Sequence, residues 1–260
     1  LCKPTEIYNL GAQSHVAVSF EEPEYTANTD ALGVLRLLEI IRREGKDIKL
    51  YQASTSELFG GRHKGPYDEN SLIDPRSPYA ASKAYAYFLI KQYRLAYNLY
   101  AVNGILFNHE SPRRGENFVT RKISRGLSKI LKGSQNHIAL GNLNASRDWG
   151  HAKEYVIAMH LMMQQTKPED YVISSDNSVT VRKFIDHCFK TVGLELEFSG
   201  EGEKEIGVVK KINKDSFRKF KKDIKHFPKI GDILIRVDSK LFRPLDVEKL
   251  EGNSLKAKNN

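Results

Sequence analysis

Short apolar runs alternate with amphipathic stretches in the first part of the chain. Residues 6–10 (EIYNL), 48–53 (IKLYQA) and 101–107 (AVNGILF) have the length and side chains of strands, whereas residues 34–43 carry an apolar stripe at helical spacing. Residues 79–100 are long enough for about six helical turns. This β-α-β-α-β order predicts a parallel sheet covered by helices, with the functional site at the carboxyl ends of the strands.

The pattern changes in the second part of the chain. Residues 118–131, 151–165 and 181–192 predict helices, and residues 171–174 predict an extended segment. From residue 194 onward the apolar runs become short and β-like. We therefore place a domain boundary near residue 110 and expect a smaller, mixed part beyond it.

Composition limits the class of protein. Hydrophobic residues make up 40% of the 260 residues and charged residues 28%, which favours a soluble globular chain and excludes collagen-like or largely disordered ones. Cys2 and Cys188 cannot build a disulfide framework and lack zinc-site spacing, so we expect a cytoplasmic protein without a bound metal. No apolar run reaches the roughly 20 residues that span a bilayer, and Leu1 opens a polar stretch rather than a leader peptide.

The basic charge of the chain is local. The formal net charge is +9, but residues 204–229 hold ten lysines or arginines and three acidic residues, which leaves +2 for the rest of the chain. A solvated loop or hairpin is the simpler interpretation of this basic stretch. The alternative is a surface that attracts the phosphates of nucleic acid or of a nucleotide substrate.

The common glycine-rich phosphate-binding loops are missing from the sequence. Gly200 and Gly202 have no third glycine at the spacing of a dinucleotide-binding turn, and Gly65 is followed by Pro66 where a P-loop needs lysine. The sequence therefore contains no recognisable phosphate cradle of either kind.

Tyr79 and Lys83 are four residues apart in the predicted helix 79–100. Four residues turn a helix by about 400°, so the two side chains lie on one face. A nearby ammonium favours phenolate and lowers the pKa of a tyrosine, which can then act as a base near neutral pH. Tyr87 and Lys91 form a second match, but they lie two turns deeper, where a core-packing aromatic is expected.

Two further polar segments follow predicted strands. Residues 54–57 (STSE) place hydroxyls and a carboxylate after the strand 48–53, where they can hold a substrate hydroxyl near Tyr79; a helix cap is the alternative. Residues 108–115 (NHESPRRG) contain adjacent arginines that suit a phosphate or pyrophosphate, although an exposed basic turn is the commoner explanation for such a pair.

Five segments in a fixed order resemble the GDP-mannose 4,6-dehydratase family, a branch of the extended short-chain dehydrogenase/reductases. The resemblance extends from about Glu6 to Glu248. The segments that carry it are 8–16 (YNLGAQSHV), 52–60 (QASTSELFG), 77–83 (SPYAASK), 104–115 (GILFNHESPRRG) and 147–152 (RDWGHA). The Tyr-x-x-x-Lys pair marks the superfamily, and the run FNHESPRRG marks the family.

The resemblance implies an α/β fold with a Rossmann-like doubly wound parallel sheet. Residues 1–110 would be the remainder of an NADP-binding domain, and residues 111–260 mostly a substrate-binding domain with some segments returning to the first. Family members have a first strand and a glycine-rich turn that this sequence lacks ahead of Leu1, and they continue beyond Asn260. We therefore expect a chain truncated at both ends, and an inactive fragment that binds nucleotides or polyanions stays an alternative.

The implied reaction is the conversion of GDP-mannose to GDP-4-keto-6-deoxymannose and water, with transient hydride transfer to NADP, as in GDP-fucose biosynthesis. The implied catalytic residues are Thr55, Glu57, Tyr79 and Lys83. The implied cofactor contacts are Leu10, Gly11, Ala12, Gln13, Ser14, Tyr25, Lys83, His109 and Arg114. The implied contacts to the GDP-sugar are Ser14, Ser56, Asn108, Lys122, Arg147, Arg243 and Glu248. A homodimer or homotetramer is expected, with neither a membrane nor nucleic acid as a partner.

The main alternative within the same fold is an NAD-dependent sugar-nucleotide epimerase or 4-reductase. Glu57 discriminates between these reactions, because epimerases and reductases of the superfamily need no base at C5 of the sugar.

Overall fold

A computed structural model describes residues 3–44, 47–213, 215–216, 224–242, 245 and 247–260. The residues outside these ranges include Cys2, the predicted substrate contact Arg243 and half of the basic residues between 204 and 229. Within the described ranges, no helix is both long and apolar enough to cross a membrane.

Helices and strands alternate along the chain much as predicted. The α-helices of the described residues are α1 (Val18–Glu21), α2 (Pro23–Ala27), α3 (Gly33–Glu44), α4 (Pro78–Tyr97), α5 (Val119–Leu131), α6 (Ala152–Gln164), α7 (Val181–Thr191) and α8 (Leu255–Asn259). A π-helical turn (Asn28–Leu32) joins α2 to α3, and short 3-10 turns occupy Ser56–Phe59, Gly202–Lys204 and Ser239–Leu241. The strands are β1 (Glu6–Asn9), β2 (Lys49–Ala53), β3 (Ala101–Leu106), β4 (Asn108–Glu110), β5 (Ile138–Leu140), β6 (Ser146–His151), β7 (Tyr171–Ile173), β8 (Ser178–Thr180), β9 (Leu194–Ser199), β10 (Ile206–Ile212), β11 (Ile233–Val237) and β12 (Lys249–Leu250).

The chain folds into two compact units. Unit 1 comprises Leu1–His109, Arg147–Ser178 and Val247–Asn260, and unit 2 comprises Glu110–Ser146 and Val179–Asp246. The assignment of one domain to NADP and the other to substrate stays a prediction.

The main sheet of unit 1 is parallel throughout and has the strand order β1-β2-β3-β7. Neighbouring side chains on a strand point to opposite faces of the sheet, and both faces are buried here. Leu50 and Ala101 pack with α3 and α4, whereas Tyr51 and Val102 pack with α6. Helices therefore cover both faces, and the predicted doubly wound, Rossmann-like α/β class is confirmed.

Local sequence signals fix both the start and the end of helix α4. The side chain of Ser77 accepts a hydrogen bond from the backbone N–H of Ala80 (3.0 Å), and Pro78 occupies the first turn, where its missing N–H costs nothing. Asn98 adopts a left-handed conformation (φ 55°) that ends the helix at Tyr97, three residues before the predicted end.

Unit 2 has a mixed sheet with the order β5-β11-β10-β9. Strand β10 is antiparallel to β9 and β11, and β11 is parallel to β5. The described part of the basic stretch includes β10, where Lys210 pairs with Glu197 (2.8 Å) and Lys211 pairs with Glu195 (3.3 Å). For these two lysines, the structure favours the solvated hairpin over a surface that attracts phosphates.

Candidate active site

The predicted site residues of unit 1 follow three neighbouring strands. Because β1, β2 and β3 are parallel, their carboxyl ends lie along the same edge of the sheet. Residues 10–14 follow β1, residues 54–57 follow β2, and residues 107–109 follow β3. The order of strands therefore brings together, at one edge, three segments that are far apart in the sequence.

Tyr79 and Lys83 lie on one face of α4, as their spacing predicts. Both residues are buried, and the Lys83 Nζ atom is 5.9 Å from the centroid of the Tyr79 ring. Lys83 also donates a hydrogen bond to the backbone oxygen of Ala53 at the end of β2 (3.1 Å). This bond ties the Tyr-x-x-x-Lys pair to the strand that leads into residues 54–57.

The second Tyr-x-x-x-Lys match has a different environment. Tyr87 packs in a buried cluster with Leu58 and Ile105, and burial is the main cause that raises the pKa of Tyr87 to about 12. Although Lys91 lies 5.2 Å from the centroid of its ring, a tyrosine with such a pKa is a poor base near neutral pH. The prediction of a core aromatic at Tyr87 is confirmed.

A buried carboxylate acts on Lys83. Burial lowers the pKa of the Lys83 ammonium, and the negative charge of Asp30 opposes this effect. Asp30 is fully buried on the π-helical turn; burial raises its pKa, while Lys83 and a hydrogen bond from the Gln13 N–H (2.7 Å) lower it. Asp30 was not among the predicted site residues. The available signal was an acidic residue directly before the apolar stripe of α3.

Side-chain hydrogen bonds also hold the loop of residues 10–14. Asn9 donates to the Gln52 Oε1 atom (2.7 Å) and accepts a bond from the Gly11 N–H (3.3 Å). The Gln52 amide then donates to the oxygen of Ala53 (3.0 Å), which is the oxygen that Lys83 also uses. One network therefore joins the predicted cofactor loop to Lys83. Neither Asn9 nor Gln52 was among the predicted site residues.

Thr55 and Glu57 occupy the first turn after β2. Thr55 has an extended backbone and caps the 3-10 turn Ser56–Phe59, its hydroxyl accepting a hydrogen bond from the Glu57 N–H (3.2 Å). The alternative interpretation as a helix cap is therefore correct for Thr55. The cap uses the hydroxyl oxygen as an acceptor, so the hydroxyl proton can still be donated to a substrate oxygen. The turn packs against α4, the helix of Tyr79.

His109 is held by two neighbours. Its Nδ1 atom lies 2.9 Å from the backbone oxygen of Phe107, and its ring stacks on Tyr155 of α6 with centroids 4.8 Å apart. The Tyr155 ring fits because residue 150 is glycine, where an added Cβ would lie 2.4 Å from that ring. The sequence analysis did not identify Tyr155 as a neighbour of His109.

The other predicted contacts of unit 1 differ in exposure. Tyr25 is 59% exposed, and Leu10, Ser14 and Glu248 are also exposed. Ser56 and Arg147 are buried, and Asn108 is half-buried at the start of β4. Their roles toward a cofactor or a sugar nucleotide stay predictions.

Among the described residues, two predicted contacts belong to unit 2. The Arg114 Nε atom lies 3.4 Å from Glu110 Oε2, and the guanidinium carbon lies 3.7 Å from the centroid of the Phe118 ring. Lys122 is half-buried at the start of α5; burial lowers the pKa of its ammonium, and Asp238 opposes this effect.

The parallel doubly wound sheet and the buried Tyr79–Lys83 pair at its strand ends place this chain in the extended short-chain dehydrogenase/reductase class. Two solved structures share the fold over 98% of this chain. RMD from Pseudomonas aeruginosa complexed with NADPH has a TM-score of 0.75, 19% identity and 74% of its own chain covered. The dTDP-glucose 4,6-dehydratase of Bacillus anthracis in complex with NAD has a TM-score of 0.70, 22% identity and 65% of its chain covered.

Sequence comparison identifies the family. The family model described as GDP-mannose 4,6 dehydratase matches residues 1–260. A GDP-mannose 4,6-dehydratase of Vibrio cholerae is 52% identical over 258 residues, which cover 98% of this chain and 67% of that protein. This chain belongs to the GDP-mannose 4,6-dehydratase family, whose members are enzymes of the hydro-lyase type. It spans about two thirds of the length of such relatives.

Proposed function

We propose that this protein converts GDP-mannose to GDP-4-keto-6-deoxymannose and water, with NADP as the cofactor. The observation that carries the proposal is the buried Tyr79–Lys83 pair, tied through Ala53 to the strand that leads into Thr55 and Glu57. The V. cholerae relative supports the choice of substrate, because 52% identity extends over nearly the whole chain.

The residues at the strand ends fit a dinucleotide cofactor. The Lys83 ammonium has three N–H donors, and its bond to Ala53 uses one of them, so others can reach the ribose hydroxyls. The loop of residues 10–14 is fixed by Asn9 and Asp30 while its Leu10 side chain stays 54% exposed, which offers an apolar surface to a planar ring. When bound, NADP would supply the acceptor for the hydride on C4 of the sugar and the donor of a hydride to C6.

The first chemical task of the protein is to remove the proton of the C4 hydroxyl. We assign this step to Tyr79 as phenolate, which the neighbouring Lys83 charge stabilises. Thr55 donates a hydrogen bond that keeps the C4 oxygen aimed at Tyr79. A ketone at C4 makes the proton on C5 acidic, which is the chemical reason for oxidation before dehydration.

The second task is the loss of water across C5 and C6. We assign the removal of the C5 proton to Glu57, which then returns a proton to the departing C6 hydroxyl, so that one water leaves. An epimerase or 4-reductase has no use for a carboxylate base at C5, which favours the dehydratase.

We also propose that the protein acts in the cytoplasm and forms at least a homodimer. The outer face of α4 carries Tyr85, Phe88 and Leu95 at helical spacing, with exposed fractions of 44%, 49% and 78%. Exposed apolar side chains on one helix face favour burial against a second copy. Light scattering of the protein and of a Phe88→Lys, Leu95→Lys variant tests this, and a wild-type monomer at assay concentration contradicts it.

The enzymatic proposal is tested with purified full-length protein, GDP-mannose and catalytic NADP. We expect a product that has lost one water and carries a C4 ketone, identified by mass spectrometry and NMR. Tyr79→Phe and Glu57→Gln should each lower turnover at least about 100-fold. Tyr87→Phe, at the second Tyr-x-x-x-Lys match, is the matched control and should keep near-normal turnover. An epimerised or reduced sugar without loss of water would overturn the proposal.

A further inference from the structure

The segment at residues 108–115 contains one carboxylate, Glu110, which lies at the end of β4 and is largely buried. The Glu110 side chain is only 16% exposed. Its Oε2 atom accepts a hydrogen bond from the Thr120 hydroxyl at the start of α5 and lies 3.4 Å from the Arg114 Nε atom. Burial raises the pKa of Glu110, whereas Thr120 and Arg114 oppose this effect.

Arg114 is held on two sides. The Glu110 Oε2 atom faces the Nε side of the guanidinium at 3.4 Å, as an ion pair without a hydrogen bond, and the Phe118 ring covers the guanidinium face at 3.7 Å. A guanidinium has five N–H donors in a planar fork, so these two neighbours leave the two terminal NH₂ groups as the edge suited to two oxygens of one phosphate. Glu110 and Phe118 therefore set the direction of that edge before a ligand binds. Binding then avoids the entropic cost of ordering a long side chain.

We propose that Glu110 is a positioning residue that orients the Arg114 guanidinium toward a phosphate group of the dinucleotide cofactor. This inference rests on the proposed function and on the cofactor contact that the family resemblance implies for Arg114. Glu110 acts through Arg114 and touches neither the substrate nor the cofactor. Thr120 contributes by holding the Glu110 carboxylate in place.

Unit 2 provides a matched control pair. Arg125 and Glu116 also form an ion pair, but their side chains are 42% and 58% exposed. Exposed pairs of this kind contribute little to stability or geometry. Glu116→Ala therefore removes the same type of charge from the same unit without disturbing Arg114.

The test measures NADP and GDP-mannose affinities of the full-length protein by calorimetric titration. Glu110→Ala should weaken NADP binding about tenfold or more, since a charge-assisted contact that fixes the guanidinium is lost. Glu110→Gln keeps an acceptor of the same shape and should recover most of that loss. Neither variant should change GDP-mannose affinity more than about twofold, and Glu116→Ala should bind NADP like the wild type.

A double-mutant comparison shows whether Glu110 acts through Arg114. If it does, Glu110→Ala combined with Arg114→Ala binds NADP no more weakly than Arg114→Ala alone. Additive losses would overturn the inference, as would normal NADP binding by Glu110→Ala. Where Glu110→Ala does not fold, Thr120→Val, which removes the hydroxyl that holds the Glu110 carboxylate, takes its place in the same comparison. A wild-type protein that binds no NADP would contradict the proposed function rather than this inference.

Discussion

The Lys83 ammonium lies 5.9 Å from the centroid of the Tyr79 ring and 3.1 Å from the backbone oxygen of Ala53. One side chain thus connects the first turns of α4 with the carboxyl end of β2. A change at Lys83 therefore alters both the electrostatics around Tyr79 and the geometry of the strand end.

Replacing Lys83 with methionine keeps the length of the side chain but removes its charge and its donors. We expect Lys83→Met to lower kcat/KM for GDP-mannose at least about 100-fold, because the phenolate of Tyr79 loses its neighbouring cation. Steady-state assays of the full-length protein give the comparison. Lys91→Met is the corresponding change in the second Tyr-x-x-x-Lys match. It should lower kcat/KM less than about threefold, because Lys91 is expected to contribute little to catalysis. Equal losses in the two variants would contradict the assigned role of Lys83.

Asp30 supports the charged form of Lys83. In Asp30→Asn, an amide oxygen can still accept the bond from Gln13, but the negative charge is gone and burial lowers the pKa of Lys83 unopposed. The ammonium then loses its proton at a lower pH, so the alkaline limb of the kcat/KM profile should move to lower pH. Asp186→Asn, on the exposed surface of α7, is the control and should leave the limb in place. An alkaline limb that does not move in Asp30→Asn would contradict the coupling.

Asp176 holds the C-terminal helix to unit 1. Burial by itself would raise its pKa, but hydrogen bonds from Lys258, Ser174 and Ser254 lower it to about 2. A lowered pKa means that Asp176 stabilises the fold above its ordinary value of 3.8, and that this contribution is lost as the pH falls toward 2.

The corresponding variant is Asp176→Asn, since asparagine also tolerates the left-handed backbone at this position (φ 58°). Urea unfolding at pH 7 should show a loss of about 1 kcal/mol after allowance for solvent screening. At pH 3 the difference from the wild type should shrink. A difference that stays constant with pH would show that the carboxylate charge does not matter.

Tyr51 is fully buried between β2 and α6, and its hydroxyl has no hydrogen-bond partner among the described residues. Only glycine fits at position 104 beside this hydroxyl, because an added Cβ there would lie 2.2 Å from the Tyr51 hydroxyl oxygen. Removing an unpaired buried hydroxyl relieves its desolvation cost, so Tyr51→Phe should raise the free energy of unfolding by about 1 kcal/mol.

Tyr67→Phe is the opposite case and serves as the control. The Tyr67 hydroxyl donates to the backbone oxygen of His63, and its loss should lower the free energy of unfolding by about 1 kcal/mol. Denaturant titrations of both variants show whether the free energy of unfolding rises or falls. A loss of stability in Tyr51→Phe equal to that in Tyr67→Phe would contradict the interpretation of Tyr51.

Local patterns were enough for most of the fold. Strand and helix periodicity predicted β1, β2, β3 and α4, because each depends on neighbours within a few residues. Their ends were less certain, as at Tyr97, where a single left-handed asparagine stops the helix. The sequence pattern also did not decide the role of Thr55, because a hydroxyl that caps a helix and a hydroxyl that holds a substrate follow the same pattern.

The sequence by itself determined the alternation of strands and helices, the shared face of Tyr79 and Lys83, and the family to which the chain belongs. These depend on helical spacing and on the order of local motifs. Only the tertiary structure decided that Asp30 acts on Lys83, that Asn9 bonds to Gln52 from 43 residues away, and that Tyr155 stacks on His109. Such pairs form because packing brings distant segments together, and no local pattern of polar and apolar residues records which buried polar group will meet which partner.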